Sequence, residues 1–307
     1  MTDQAGRSGG FRHAAWLYHA HAEYLGGIRD FVQAGLACNE PVFVVVPGSQ
    51  LPGDWLPRGP SVTVADMREL GGNPARLIPA LRAFADRFPG RRVRYLGEPA
   101  WAERSGAELL EAARHESLLN LASADAQISA LCLYNATDLA AAVLADACGA
   151  HPTLGNGDGE RANADYCGPD CWPDSLAKPL VAPASAEVLV YDKDLRPVRA
   201  QVAAVAGQAG LSPARCTDLV IAASEVAANT LRHTRGTGVV RLWETDAEVL
   251  CQIEDCGHIS NPLAGHWRPS GDVSGGQGLW LVNQLCDLAE IRSSELGTTI
   301  RLHMYRR

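Results

Sequence analysis

Glu225 and Asn229 stand four residues apart in a stretch, 219–229, whose other residues are mostly apolar. On a helix that spacing turns both side chains to one face. A carboxylate and an amide presented together can act as a general base and as an oxygen ligand for Mg²⁺, a cation that brings phosphates with it. The same spacing also occurs on ordinary solvated or capping faces. Here the pair interrupts a helix that reads as buried, where a carboxylate needs a partner. Further on, Asp255-Cys-Gly257 follows the strand-like run 249–254. An aspartate at a strand end can accept from an adenine amino group, and a nearby glycine lets backbone approach a flat ring; a simple turn accounts for Asp-x-Gly equally well. A third element, Ser274-Gly-Gly-Gln-Gly278-Leu279, leads into the apolar run 279–285. Glycines before a helix start expose amide donors and the positive end of the helix dipole to phosphate oxygens.

Other residues could do different chemistry. Of nine cysteines, Cys132, Cys251 and Cys286 sit in apolar runs and read as reduced core residues. Cys148-x-x-His151 is followed by Cys167-x-x-x-Cys171 in a glycine-rich stretch with no core of its own. Three thiolates and an imidazole at such spacings can close a tetrahedral Zn²⁺ site. A redox-active Cys167/Cys171 pair, or thiols without a ligand, are the alternatives. Glu98, Arg104, His115, Glu116 and Asn120 form a polar set that can line a sensory pocket, because Gly97-Glu98-Pro99 follows a strand, where open α/β sheets bind ligands. The competing reading is a structural network tying a helix to the sheet.

The elements that must position these residues are alternating. In the first half, helices are expected at 23–36, 73–88, 107–122 and 139–148, and strands at 41–47, 61–65, 92–96 and 128–134. Strands alternating with helices of this length predict an α/β fold with a parallel sheet covered on both faces. Residues 153–185, rich in glycine and proline, read as a linker. The second half predicts a strand at 188–191, helices at 195–209 and 213–233, strands at 238–244 and 248–255, a helix from Gly278 and two final strands. That order implies a two-layer α/β sandwich. The 307 residues thus divide into domains at 11–152 and 186–307. A formal net charge of −8 argues against a nucleic-acid footprint. With no apolar stretch of membrane-spanning length and no signal region at the start, the chain is expected to be cytoplasmic and to avoid membranes.

The order Glu-x-x-x-Asn, strand–Asp-x-Gly, Gly-Gly-x-Gly-Leu and Gly297-Thr-Thr299 resembles the asparagine and glycine boxes of the GHKL (Bergerat) superfamily over about 120 residues. Asn229-Thr-Leu-Arg-His-Thr234, Asn261-Pro-Leu263 and 278–287 look like its actinobacterial anti-sigma serine kinases. The resemblance implies ATP and Mg²⁺ as cofactors. It gives Glu225 the role of general base and makes Asn229 the Mg²⁺ ligand, with Asp255 reading the adenine. Gly257, Gly276, Gly278 and Leu279 would shape the adenine and phosphate loops, Thr299 would lie near the adenine, and 258–275 would form a lid. Ile259 stands where the second glycine of the first glycine box belongs, and Gln277 where a basic residue is common. The first half resembles the MEDS sensory domain named after methanogens, methylotrophs and the DcmR regulator, through His13, Glu40-Pro41, Met67, 73–76, 97–101, 115–120, Tyr134 and His151-Pro152. That resemblance implies a RecA-like sheet; no Gly-x-x-x-x-Gly-Lys-Ser/Thr loop accompanies it, so no second ATP site is expected. Together they imply a sensor-coupled anti-sigma regulator. It would be a serine/threonine protein kinase of the anti-sigma type, or a non-catalytic docking protein, with a sigma factor and an anti-sigma antagonist as protein partners and a homodimer as its assembly.

Overall fold

The computed structural model describes residues 10–48, 51, 57, 59–155, 159–168, 173–234, 236–267 and 277–306. The chain forms two compact units that meet between Pro173 and Asp174.

The first unit is built on strands β1 (Arg12–Tyr18), β2 (Val42–Val46), β3 (Val62–Asp66), β4 (Val93–Gly97), β5 (Ile128–Asn135), β6 (Thr153–Leu154) and β7 (Arg161–Ala162). Their order in the sheet is β3-β2-β4-β5-β1-β6-β7, and every pairing except β6 with β7 is parallel. The helices are α1 (His21–Ala37), the single turn α2 (Met67–Leu70), α3 (Leu77–Ala85), α4 (Gly106–Ser123) and α5 (Ala141–Ala150). β2 is buried at all five positions, as a strand covered on both faces must be. Val42, Val44 and Val46 join Ile28, Phe31 and Val32 of α1 in one core. Phe43, on the opposite face, stacks on Phe84 of α3 with ring centroids 5.1 Å apart. α4 starts at a reciprocal cap: Ser105 Oγ accepts from the Glu108 amide, and the Glu108 carboxylate accepts from the Ser105 amide.

Two features of this unit depart from the sequence reading. β1 was not anticipated, yet it lies inside the sheet between β5 and β6. Buried on both faces, it shows no apolar–polar alternation. The segment expected to be a linker begins as sheet, because Thr153 and Leu154 pair with Ala14 and Ala15. Strands of two residues carry no periodicity that could have announced them. The later part of that segment goes with the second unit, where the Leu180 and Val181 carbonyls accept from Gln252 and Arg301.

The second unit is a two-layer sandwich. Strands β8 (Glu187–Tyr191), β9 (Gly238–Glu244), β10 (Glu248–Asp255), β11 (Leu288–Ser294) and β12 (Gly297–Tyr305) form an antiparallel sheet in the order β11-β12-β10-β9-β8. One face packs on α6 (Arg196–Gln208), α7 (Pro213–His233) and α8 (Gln277–Leu285). α7 opens at Ser212, whose hydroxyl accepts from the Arg215 amide, with Pro213 in the first turn. Its buried stripe is Leu219, Ala222, Ala223, Val226, Ala227 and Thr230, the three-and-four spacing of one helix face. Small residues dominate that stripe and allow a close approach to the sheet.

The other face of this sheet carries a buried ion pair. His303 Nδ1 lies 2.8 Å from Glu248 Oε2, and its Nε2 lies 2.9 Å from Glu290 Oε1. Burial opposes the imidazolium, but the two carboxylates outweigh it and hold His303 up at about 9. A pKa raised on folding contributes stability that is complete below the ordinary value of 6.5 and is lost as pH rises through about 9. The melting transition of the second unit is therefore expected to fall across that window in the full chain. In His303→Gln the fall should flatten; an unchanged slope in calorimetric melts would remove this assignment.

Candidate functional site

A cleft of 410 Å³ opens on the helical side of the second unit's sheet, within the range of ligand sites. Val226 and Asn229 of α7 and Leu279 of α8 form one wall, and Asp255, Thr298 and Ile300 the strand side. The stretch from Gly257 to Asn261 supplies the rim.

Strand alternation brings Asp255 into this cleft. Val249, Cys251 and Ile253 point into the helix-covered core, and Asp255 continues the same face one pair further on. Its carboxylate is fixed at both oxygens: Oδ1 accepts from the Gly257 amide at 2.7 Å and Oδ2 from the Thr230 hydroxyl at 2.7 Å. Thr230 Oγ1 in turn accepts from the Tyr191 hydroxyl at 2.8 Å. Tyr191 lies directly across from Gly238 on β9. A Cβ at position 238 would run into the Tyr191 ring, so glycine is what lets the ring lie there. Hydrogen bonds to a charged acceptor contribute about 1.5–3 kcal/mol, enough to hold one rotamer of Asp255.

Glu225 and Asn229 are half-buried and share a face of α7, as their spacing predicts. Asn229 Oδ1 accepts from Arg232 at 2.9 Å. Gly278, in the first turn of α8, sits against both. A Cβ there would come within 3.0 Å of Glu225 Oε2 and 3.2 Å of Asn229 Nδ2. The start of α8 thus lies beside the carboxylate and the amide, and the missing Cβ of Gly278 keeps that approach open. Gly276 and 268–275 of the expected lid lie outside the described residues. The described part of that segment is tied down: the Ile259 amide donates to Ser293 Oγ, and Asn283 donates to the Gly265 carbonyl. Ile259 lines the cleft and packs against the core.

One expected residue is misplaced by a single position. Thr299 does not face the cleft. β12 sends Ile300, Leu302 and Met304 into the helix-covered core, so Thr298 shares their face and Thr299 turns to the other side with Arg301 and His303. Thr298 is paired with Asp255 across the strands, and its hydroxyl donates to the Gly257 carbonyl at 2.8 Å. Sequence reading also missed Tyr191, Thr230 and Ser293. An Asn-Thr dipeptide after Glu-x-x-x is a signal for Thr230; nothing local marks the other two.

In the first unit the expected sensory set is entirely buried and splits into separate clusters. Glu98 accepts from the hydroxyls of Tyr18 at 2.8 Å and Tyr24 at 3.0 Å. Arg104 lies over the Trp101 ring, 4.0 Å from its centroid, and donates to the Gly71 and Gly72 carbonyls. His115 lies 3.9 Å from Glu116 Oε1, and Asn120 bonds His13. Through Tyr18 and His13, Glu98 and Asn120 are tied to β1.

The expected metal quartet is corrected as well. Cys167 is disulfide-bonded, and Cys148 is a free thiol. Cys171 lies outside the described residues. His151 turns its ring inward, to Glu116 and to the Ala147 carbonyl. A disulfide sulfur is no thiolate ligand, and short spacing in sequence did not bring the imidazole to Cys148.

Residues 12–152 match the family model of the MEthanogen/methylotroph, DcmR Sensory domain, MEDS, and residues 191–304 that of the histidine kinase-like ATPase domain. The chain joins a MEDS domain to a histidine kinase-like ATPase domain. No curated protein matches it significantly. Among solved structures it is similar to the crystal structure of the RsbU and RsbW domains of Rv1364c from Mycobacterium tuberculosis. The identity is 24% and the TM-score 0.30, over 41% of this chain and 34% of that one. Among the described residues no helix is long and apolar enough to cross a membrane.

Glu98 offers a pH test of the first unit. Burial lifts its carboxyl from 4.5 to about 7, against the two tyrosine hydroxyls that pull it down. The raised value contributes stability below 4.5 that is lost as pH rises through about 7. Relative to wild type, Glu98→Gln is expected to lose that slope, a difference on the order of 3 kcal/mol across the window. Parallel pH profiles for the two proteins in urea unfolding would contradict it.

Proposed function

We propose that this chain is a sensor-coupled anti-sigma regulator whose second unit binds ATP with Mg²⁺. In that role it holds a sigma factor, or transfers phosphate to a serine of an anti-sigma antagonist, or both. The observation that carries the reading is that Asn229, Asp255 and Leu279 of α8 line one cleft, with Glu225 and Asn229 both against Gly278 at the start of α8, in a domain that matches the histidine kinase-like ATPase model.

The residues present fit such a nucleotide. Asp255, its orientation fixed by Gly257 and Thr230, keeps lone pairs that can accept from an exocyclic amino group. Asn229 supplies an amide oxygen for a hard cation, and the amides at the start of α8 suit phosphate oxygens. Bound Mg²⁺ would neutralise phosphate charge. Glu225 makes no hydrogen bond or ion pair among the described residues, which leaves its carboxylate available. It would take the proton from a serine hydroxyl as that oxygen forms its bond to the γ-phosphorus and the bond to ADP breaks. Positioning and charge neutralisation suffice for such a transfer. The first unit would act on this site through a difference in affinity between two states.

A second reading is a docking protein in which nucleotide only steadies a partner surface. Ile259, wedged between cleft and core where a glycine is usual in the resembling family, favours it.

Calorimetry with ATP and Mg²⁺ tests the site. Wild type is expected to bind in the micromolar range, and Asn229→Ala to bind at least about tenfold more weakly, roughly 1.4 kcal/mol. No heat at millimolar ATP would remove the nucleotide reading. With an antagonist protein in hand, phosphate should appear on its serine with wild type and not with Glu225→Ala. Binding that is intact without any transfer would decide for the docking reading.

A further inference from the structure

Four side chains that share no sequence neighbourhood meet in the interior of the first unit. His13 comes from β1, Cys132 from β5, Glu116 from α4, and His151 from the residue that follows α5. All four are at most 1% exposed. One donor atom from each falls within 4.8 Å of all the others. The strands explain half of this. Ala15 pairs with Cys132 and Ala14 with Leu131 in register, so Cys132 and His13 point to the same face, the one opposite Leu131 and Leu133.

The proton positions make the cluster unusual. His13 Nδ1 lies 3.0 Å from Asn120 Oδ1. Asn120 cannot be turned around, because its Nδ2 already donates to the carbonyls of Ala150 at 2.8 Å and Glu116 at 3.3 Å. His13 Nδ1 therefore carries the hydrogen. His151 Nδ1 lies 2.6 Å from the Ala147 carbonyl, an acceptor only, so it carries one too. Each neutral ring then presents a bare Nε2 lone pair. Both lone pairs face the same oxygen: Glu116 Oε2 is 3.1 Å from His13 Nε2 and 3.0 Å from His151 Nε2. Cys132 Sγ is 3.4 Å from His13 Nε2. Lone pairs crowded in this way repel unless positive charge lies among them. Protonating both rings would set two buried imidazoliums against one carboxylate and leave an unpaired charge in the interior.

We propose that His13, Glu116, Cys132 and His151 form a closed, four-ligand site for a zinc-class divalent cation. Two neutral imidazoles, one carboxylate and one thiolate around a dication sum to zero charge. A tetrahedral zinc site places its nitrogen, oxygen and sulfur ligands about 3.3–3.8 Å apart. The short contacts to Glu116 therefore need to open by a few tenths of an ångström, while the wider pairs, none beyond 4.8 Å, close by no more than about an ångström and a half. The thiolate and the imidazoles select a borderline-soft cation over Mg²⁺ or Ca²⁺. The hydrogen bonds from each Nδ1 to Asn120 and to the Ala147 carbonyl supply the outer shell that orients metal-bound histidines. Loading the site deprotonates Cys132 and releases its proton to solvent. With no position left open, the cation is structural: it ties β1, β5, α4 and the end of α5 to one point.

The test is metal analysis of the full chain, refolded once with zinc and once with cobalt. About one zinc per chain is expected in wild type and in Cys148→Ser, falling at least tenfold in Cys132→Ser and in His13→Gln. Cobalt-loaded wild type should show a sulfur-to-cobalt charge-transfer band, a readout that needs no variant to fold. Wild type that takes up neither metal would overturn the proposal. So would metal that survives Cys132→Ser together with His13→Gln but is lost in Cys148→Ser.

Discussion

A side chain on a strand can reach only one face of its sheet, and both units of this chain are organised by that restriction. In the second unit it carries Asp255 and Thr298 into the cleft as the last steps of two inward-facing rows, Val249–Cys251–Ile253 and Met304–Leu302–Ile300. The apolar members of each row are buried against helices, so hydrophobic burial fixes the register, and the register delivers the polar residue at the end. In the first unit the same rule puts His13 and Cys132 on the face toward α4, although 119 residues separate them. A slip of one residue would turn Arg301 and His303 into the helix-covered core of the second unit, and in the first would turn His13 and Cys132 away from α4.

Burial then determines what the charged groups can do. Two carboxyls show two outcomes. Glu290 stays ionised below the usual carboxylate range: burial works against it, but His303, Arg292 and Arg301 supply compensating charge. Glu98 is pulled down by two tyrosine hydroxyls and, less, by the charge of Arg68, and burial wins. The difference lies in the formal charge of the partners more than in the depth of burial.

Where the candidate site was legible in the sequence, it was legible because the relevant geometry is local. Glu225 and Asn229 need only one turn of helix, and the glycine before Leu279 needs only a helix start; both are encoded within a few residues. Asp255 at a strand end is nearly as local. The position of Thr299 failed because strand parity depends on where the strand begins, and Gly297-Thr-Thr299 fits either parity. The cysteine and histidine reading failed for the opposite reason: it looked for partners nearby in sequence. His151 is held by Glu116, 35 positions away by number, in an arrangement that only the sheet order creates. β1 itself was invisible because a strand buried on both faces has no alternation to show.

Tyr191 ends β8, the outermost strand of the second sheet on that side. An edge strand is held by one neighbour alone and is the first part of a sheet to fray. Yet its terminal tyrosine reaches Thr230, and through Thr230 the carboxylate of Asp255. The cleft's most constrained acceptor is thus wired to the sheet's least constrained margin. Peeling back the five residues of β8 leaves the pairing of the other four strands as before, while withdrawing the Tyr191 ring from the core and the hydroxyl that steadies Thr230. A local loosening at the periphery is in this way converted into a change of order at the cleft.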